Sequence, residues 1–260
     1  GYYSKQFFSR VMGWGEQVIV ISHSVGRHMI DDFDVPHERI TLIHRGVDLA
    51  KYTVDPNRYA PERLRSKDKI VIATIGRLTP IKGHDYFIKA MHLVSHRFPH
   101  VEGWIVGDAP KRRLAYVEGL KVLMHKLGIE GVVKFVGVEV NVPELLKKVD
   151  ILVLATTYPE GFGRVIIEAG ASGIAVVATK VGGVPDIIED GKNGLLVPPA
   201  DEYKMAEAIM RLIGDGNKAR SLGVALREKV EAHFTVRQMV DKTIAVYEKV
   251  KAQRRILVIK

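Results

Sequence analysis

Cysteine is absent from the 260 residues, which excludes disulfide bonds and thiolate metal sites and fits a reducing compartment. Aromatic residues are few, and no basic stretch interleaves them as in a protein that binds single-stranded nucleic acid. No apolar run approaches the roughly 18 residues that a membrane-spanning helix needs. We therefore expect no nucleic-acid partner and a cytoplasmic location, with attachment to the inner face of a membrane as an alternative.

Acidic residues are outnumbered, because 39 Lys and Arg stand against 30 Asp and Glu and give a formal net charge of +9. Such an excess favours an anionic ligand or surface. The basic residues concentrate at Lys111–Arg113 and Lys249–Arg255, and runs of this kind are more often solvated helix faces than binding sites. Phosphorylated ligands and acidic lipids therefore remain the candidate partners.

Strand-like and helix-like segments alternate from residue 70 onward. The predicted strands are Ile70–Ile75, Glu102–Val106, Val132–Val136, Ile151–Ala155 and Ala175–Thr179. The predicted helices span 84–97, 112–127, 142–148 and 163–173, and 201–250 has a helical pattern with breaks at 214–216 and 234–235. This alternation predicts an α/β fold, a Rossmann-like parallel sheet with helices on both faces. Ligands of such sheets bind at the carboxyl ends of the strands.

The first 45 residues have the pattern of an incomplete unit of the same kind. Val18–Ile21 and Ile40–Ile43 are strand-like, with a helical pattern between them, and Tyr2–Trp14 has an amphipathic helical pattern. Two strands alone do not make a stable open sheet. We expect residues 1–45 to be the C-terminal remnant of an N-terminal Rossmann-like domain and 46–250 to be a complete ligand-binding domain. Residues 251–260 form a tail, in which Arg254–Lys260 suits a strand or the opening strand of a further domain.

The stretch Glu160–Glu168 carries the most chemical information in the chain. Glu168 lies inside an apolar helical run, where a carboxylate is costly to desolvate unless hydrogen-bond donors surround it. The backbone N–H groups of Phe162, Gly163 and Arg164 lie in the unpaired first turn, where the helix dipole also favours an anion. A phosphate flanked by a polyol would satisfy both features.

A purely structural interpretation of the same stretch is equally open at this point. Glu160 would then cap the helix, and Glu168 would pair with a neighbouring Lys or Arg. Local sequence alone does not choose between these two interpretations.

Several further segments carry a family resemblance. They are Arg45–Asp48, Gly76–Gly83, Gly107–Asp108, Val177–Thr179, Gly182–Pro185, Asp190–Gly194 and Val197–Pro198. Together with two glutamates separated by seven residues, Glu160 and Glu168, they resemble the retaining glycosyltransferases of family 4 over residues 15 to 250. That family has the GT-B architecture of two facing Rossmann-like domains, so the resemblance makes 46–250 a nucleotide-sugar donor-binding domain.

The resemblance implies three catalytic residues. Arg77 and Lys82 are similar to the basic pair that holds the diphosphate leaving group, with a planar fork from Arg and a movable charge from Lys. Glu160 would face the donor sugar. In family 4 this pair and a helix N-terminus stabilise the developing negative charge, so we expect neither a metal nor a cofactor.

The resemblance also implies a set of donor-binding positions. Glu168 would accept hydrogen bonds from the ribose hydroxyls, and Gly137 and Val138, at the end of a strand, would meet the edge of the base. The remaining positions of this set are Gly76, Arg77, Lys82, Glu160, Gly161, Phe162, Gly163 and Arg164. Plain strand termination is an equally good interpretation of Gly137 and Val138.

Some residues carry weaker predictions. Gly182, Gly183 and Pro185 are expected to shape a turn at the edge of the pocket, and Asp186 stands where the family commonly has Glu. The histidines His23, His44, His84 and His125 lack the spacing of a zinc protease, and we interpret them as surface or core residues.

The expected function is transfer of a sugar from a nucleotide diphosphate sugar to an acceptor hydroxyl with retention of configuration. The positive charge favours an anionic or membrane-associated glycan or lipid acceptor, as in lipopolysaccharide or other cell-envelope synthesis. We expect transfer to need a further N-terminal domain or a partner subunit. The alternatives are a non-catalytic sugar-nucleotide-binding module or subunit of a split enzyme and, less favoured by the motifs, a sugar-nucleotide epimerase.

Overall fold

The computed structural model of the chain describes residues 11–60, 69–110 and 113–258. The strands within these ranges are β1 Val18–Val20, β2 Ile40–Leu42, β3 Ile70–Ile75, β4 Val101–Val106, β5 Val133–Gly137, β6 Ile151–Leu154, β7 Ala175–Thr179 and β8 Leu195–Val197. The α-helices are α1 His23–Asp31, α2 His84–Arg97, α3 Leu114–Leu127, α4 Val142–Lys148, α5 Arg164–Ala171, α6 Val184–Ile187, α7 Glu202–Gly214, α8 Gly216–His233 and α9 Val236–Val258.

Six parallel strands form the main sheet, in the order β5-β4-β3-β6-β7-β8. All five strands predicted from residue 70 onward are confirmed, with ends displaced by one residue at most, and the helices predicted between them are confirmed as well. Strand β8 and the four-residue helix α6 were not predicted, because three or four residues are too short for a periodic pattern to show.

Each central strand buries both of its faces. Along β3, Ile70 and Ile72 belong to one apolar cluster, whereas Val71 and Ala73 belong to another on the opposite side of the sheet. Strands β6 and β7 alternate in the same way, since successive side chains of a strand point to opposite faces. Helices α2, α3 and α7 cover the first face, and α5 and part of α8 cover the second. The near-continuous apolar runs of these strands follow from that two-sided burial.

The N-terminal unit, residues 11–45, contains β1 and β2, which pair in parallel as a separate two-stranded sheet, and helix α1. The chain then runs beside the α8–α9 connection, where Val47 N–H donates to Phe234 O at 2.8 Å and Val236 N–H donates to Val47 O at 3.1 Å. Gly46 fits there only because it has no Cβ, which would collide with Thr235 O. This junction fixes the N-terminal unit beside the main sheet.

The tail differs from the strand predicted for Arg254–Lys260. Helix α9 continues to Val258, and Arg254 Nε pairs with both carboxylate oxygens of Glu16 at 2.9 and 3.0 Å. The strand prediction is therefore wrong for 254–258, because no Gly or Pro separates these residues from the helix-forming run before them. Most of the amphipathic pattern at Tyr2–Trp14 lies outside the described residues. Within the described part of the chain, no helix combines the length and the apolar character needed to cross a membrane.

Candidate functional site

The carboxyl ends of β3, β4 and β5 meet at one edge of the sheet, because all six strands are parallel. Backbone hydrogen bonds continue past the strands, from Gly76 N–H to Val106 O at 2.9 Å and from Gly107 N–H to Gly137 O at 2.8 Å. Gly107 has a φ of 141°, and a Cβ there would collide with Gly76 O. Glycine therefore lets the first turns after neighbouring strands pack directly on one another.

The loop after β3 is folded tightly onto the end of β6. A 3₁₀ turn at Pro80–Lys82 ends in Gly83, which has a φ of 64° and starts α2. A Cβ on Gly83 would collide with Ala155 O, and Thr157 N–H donates to Ile81 O at 3.0 Å. This close approach brings the Lys82 side chain against the loop that contains Glu160.

Lys82 and Glu160 form an ion pair between Lys82 Nζ and Glu160 Oε2. Their side chains are 25% and 17% exposed, so the pair is largely withdrawn from water while one side stays open. The hydroxyl of Thr156 also donates to Glu160 Oε2, at 3.4 Å. The structure thus joins two predicted catalytic residues that lie 78 positions apart.

Helix α5 begins at Arg164, directly after its N-cap residue Gly163. Gly163 has a φ of 89° and, as a glycine, has no side chain to accept a hydrogen bond from the first turn. The structural alternative in which Glu160 caps this helix is therefore wrong, because its carboxylate is engaged by Lys82 instead. The open end of the helix favours an anion.

Glu168 lies buried on α5, at 9% exposure. Its Oε1 pairs with Arg164 Nε at 3.0 Å, one helical turn earlier, so the predicted pairing with a neighbouring Arg is confirmed. Burial raises the pKa of Glu168, and the charge and hydrogen bond of Arg164 oppose that rise. Tyr52 lies close by, and burial, followed by the negative charge of Glu168, raises the pKa of its phenol to about 12. Arg164 is itself exposed, so Glu168 has one solvent-facing partner and capacity to accept further hydrogen bonds.

The other predicted donor-binding positions are more open. Arg77 is exposed at the end of β3, and it makes no ion pair within the part of the chain that the structure describes. Gly137, at the end of β5, has a φ of 85° and is exposed, as is Val138. Gly137 is the last residue of the edge strand β5 and Val138 follows it, and the carbonyl of Gly137 accepts from Gly107 N–H.

Two further segments hold the loop from 158 to 163 in place. Gly182 has a φ of 55°, and a Cβ there would collide with the backbone of Glu160. Gly183 N–H donates to Glu160 O at 2.8 Å, so the predicted turn at Gly182 and Gly183 supports the Glu160 loop directly. On the other side, the ring of Phe162 is buried and stacks on His44, with ring centroids 5.6 Å apart.

The four histidines have different environments. His84 is buried behind Lys82, and burial, followed by the charge of Lys82, lowers its pKa to about 4, which confirms a core residue. His125 is exposed and lies 3.0 Å from Glu130. His23 and His44 both contact Asp186, an arrangement that the sequence did not predict. They lie 163 and 142 residues from Asp186, and no local spacing signals such a contact.

Two family models match this chain. The model of the family "Glycosyl transferases group 1" matches residues 57–229, and that of "Glycosyltransferase Family 4" matches residues 1–51. The D-inositol 3-phosphate glycosyltransferase of Nocardioides sp. is 29% identical over 242 residues, covering 88% of this chain and 52% of that protein. The GDP-mannose-dependent alpha-(1-6)-phosphatidylinositol monomannoside mannosyltransferase of Mycobacterium tuberculosis is 28% identical over 235 residues, covering 86% and 60%.

A solved structure of similar fold also matches this chain. The Anabaena protein HepE, crystallised in complex with UDP and glucose, superposes with a TM-score of 0.82 at 29% identity. The match covers 90% of this chain and 63% of that one. The chain thus spans between 52% and 63% of the length of these three relatives.

The fold comparison and the family model together identify the family of this chain. The parallel sheet flanked by helices matches GT-B glycosyltransferase structures, as the sequence predicted. The first family model covers 57–229, well over half of the 260 residues. The chain belongs to the glycosyl transferases group 1 family.

Proposed function

We propose that this chain is the donor-binding part of a glycosyltransferase that moves a sugar from a nucleotide diphosphate sugar to an acceptor hydroxyl with retention. The observation that carries the proposal is the meeting of Lys82, Glu160 and the uncapped start of α5 at the carboxyl edge of the sheet. A cation, an anion-binding helix end and a sugar-facing carboxylate stand together there. That combination suits a phosphate joined to a sugar.

The diphosphate has three sources of positive charge in this proposal. Lys82 offers a movable ammonium group beside the helix end, and Arg77 offers a planar fork that no described carboxylate engages. The N–H groups of Phe162, Gly163 and Arg164 add the positive end of the helix dipole. These groups stabilise the negative charge that develops on the leaving phosphate, so the transfer chemistry needs no metal.

The nucleoside is held by groups on either side of the diphosphate. The buried carboxylate of Glu168, on α5, accepts hydrogen bonds from the ribose hydroxyls, which offset its desolvation. The exposed backbone at Gly137 and Val138 meets the edge of the base. Gly161 and Gly163 let the backbone approach the ligand without Cβ interference.

The transfer step follows from this placement. The bond between the anomeric carbon and the leaving phosphate oxygen breaks while the acceptor oxygen bonds to the same face of that carbon. The acceptor proton passes to the leaving phosphate oxygen, so no separate protein base is required. Glu160, close to Lys82, faces the sugar as its positive charge develops, which is the electrostatic role of a nearby carboxylate.

Residues 46–250 form the donor domain in this proposal, and residues 1–45 belong to the acceptor-binding domain. The chain spans 52% and 60% of the two named relatives, so we assign the acceptor site to a further domain or a partner subunit. The net charge of +9 favours an anionic or membrane-associated acceptor, such as a lipopolysaccharide core or another cell-envelope glycan. If the chain only binds donor, it is a non-catalytic module or one subunit of a split enzyme.

Thermal-shift and calorimetric titration with UDP-, GDP- and ADP-sugars tests the donor site. One class of nucleotide sugar should stabilise the chain. Glu168→Gln should lower the affinity for that ligand at least about 10-fold, because charge-assisted hydrogen bonds are lost. Glu231→Gln is the matched control, because Glu231 pairs with Arg227 at the same i, i+4 spacing on α8. Equal affinities for wild type and Glu168→Gln would contradict the assigned role.

Adding labelled donor to the chain, with and without acceptor extract, separates enzyme from binding module. Hydrolysis or transfer by the chain alone establishes catalysis. Donor binding without turnover, even with acceptor extract, would favour the module or split subunit.

A further inference from the structure

Three side chains beside the proposed donor site meet at one carboxylate oxygen. His23 Nδ1 lies 3.0 Å and His44 Nε2 lies 3.1 Å from Asp186 Oδ2, and one ligand atom from each residue lies within 4.8 Å of the others. The backbone N–H of His23 donates to the same oxygen at 2.9 Å. Helix α1, the segment after β2 and helix α6 supply one residue each, so the cluster joins the N-terminal unit to the main domain.

Three nitrogen atoms converge on one carboxylate oxygen. The backbone amide of His23, Nδ1 of His23 and Nε2 of His44 all lie within 3.1 Å of Asp186 Oδ2. An unprotonated ring nitrogen presents a lone pair, so a metal ion among the three side chains can accept one lone pair from Oδ2 and one from each ring.

The charges around the cluster both favour and oppose a cation. The carboxylate of Asp186 supplies a negative charge to the cluster, which favours a cation. Neutral imidazole and ionised carboxylate are the forms that bind metal. Lys242 near His44 and Lys229 near Asp186 oppose a cation, and neither belongs to the cluster.

We propose that His23, His44 and Asp186 form a binding site for a divalent transition metal of the zinc type. Two imidazoles and one carboxylate are a donor set that zinc uses, and tetrahedral bonds place the ligand atoms about 3.3 Å apart. The observed distances of 3.0 and 3.1 Å to Asp186 are close to that spacing. None of the three residues belongs to the donor-binding set, so metal binding can be measured without donor.

The neighbouring side chains hold the ring of His44 in place, whereas the ring of His23 can change its orientation. The ring of His44 stacks on Phe162 at 5.6 Å and meets the edge of Phe234 at 5.3 Å between centroids. The side chain of His23 is 64% exposed, so it can complete the geometry and leave the fourth position to water. A bound metal would fasten the N-terminal unit to helix α6.

Titration of tag-free, chelator-treated protein with Zn²⁺ by calorimetry, and with Co²⁺ by visible absorption, tests the site. We expect one ion per chain, with the intense visible bands of tetrahedral cobalt. Loss of an outer partner of a metal ligand costs about 10–100-fold in affinity, so His23→Ala and Asp186→Asn should each cost at least about 100-fold. His125→Ala is the matched control, because His125 is an exposed histidine paired with Glu130 elsewhere on the surface.

Circular dichroism of each variant shows whether it folds. His23→Ala is the main test, because the exposed ring of His23 can be removed without leaving a cavity in the core. Absence of a one-to-one complex with wild type would overturn the proposal. Binding that survives His23→Ala, or that is lost equally in His125→Ala, would overturn it as well. Failure of donor binding in the nucleotide panel would leave the metal result unaffected, so the two proposals fail separately.

Discussion

Replacing Lys82 by Met tests the diphosphate contact with little change in packing. The aliphatic stem of Lys82 lies against Gly76, where an added Cβ would be 3.9 Å from its Cδ and Cε atoms. Met keeps most of that stem and removes the ammonium group. The variant therefore isolates the charge, while Glu160 loses its cationic partner.

The expected loss follows from the contacts. A hydrogen bond to a charged group contributes about 1.5–3 kcal/mol, which is about 10-fold to 150-fold in Kd. Lys82 already pairs with Glu160 in the free chain, and part of that interaction is given up when a phosphate binds. We therefore expect the lower part of the range, about 10-fold to 30-fold, for the nucleoside diphosphate sugar. The free nucleoside makes no phosphate contact, so its affinity should change little.

Calorimetry with the preferred nucleoside diphosphate sugar and with its nucleoside measures the change in affinity for each ligand. Lys121→Met is the control, because Lys121 is an exposed lysine whose Nζ pairs with Glu118 at 2.8 Å on α3. The converse variant, Glu160→Gln, leaves Lys82 unpaired and should tighten the binding of a nucleoside diphosphate that lacks the sugar. Equal losses for nucleoside and diphosphate sugar in Lys82→Met would refute the contact.

Three other predictions use the same site. Because burial raises the pKa of Glu168, donor affinity should fall as pH drops through that raised value, and Glu168→Gln should remove this pH dependence in calorimetry. Gly182→Ala should lower both Tm and donor affinity, because the added Cβ would collide with the backbone of Glu160. Gly191→Ala is the control: Gly191 is also at positive φ but has open space around it, so the change should cost only about 1–2 kcal/mol of stability and leave donor affinity unchanged. Burial lowers the pKa of His84 to about 4, so between pH 6.5 and pH 4 the unfolded chain binds a proton there that the folded chain does not. The free energy of unfolding should therefore fall by up to about 3 kcal/mol as the pH drops over this range. Urea titration should show a flatter profile for His84→Asn, and an identical slope would contradict the buried neutral ring.

The fold was largely predictable because its signals are local. The apolar runs of β3, β6 and β7 and the periodicity of α2 and α4 gave element bounds within one residue or none. Parallel strands then place the ends of β3 and β6 at one edge, which brings Lys82 and Glu160 into the same region from sequence alone. The strand prediction for 254–258 was wrong, because the β-branched residues there favour a strand locally whereas the uninterrupted helical run before them extends α9 to Val258.

The partners within the site were less predictable, because they depend on loop geometry. Nothing near Glu160 in sequence indicates that Lys82 holds its carboxylate, and the contact depends on Gly83 fitting against Ala155. The pairing of Glu168 with Arg164 was within reach, since i and i+4 residues share a helix face. The meeting of His23 and His44 at Asp186 joins three elements, and only the packed structure reveals it.

A crystal structure of this chain with a bound nucleoside diphosphate sugar tests the central claim most directly. The donor-site account predicts diphosphate oxygens within about 3.2 Å of Lys82 Nζ and of the first N–H groups of α5, with the ribose hydroxyls on the Glu168 carboxylate. A diphosphate bound away from the carboxyl edge of the sheet, or a ribose without contact to Glu168, would contradict it.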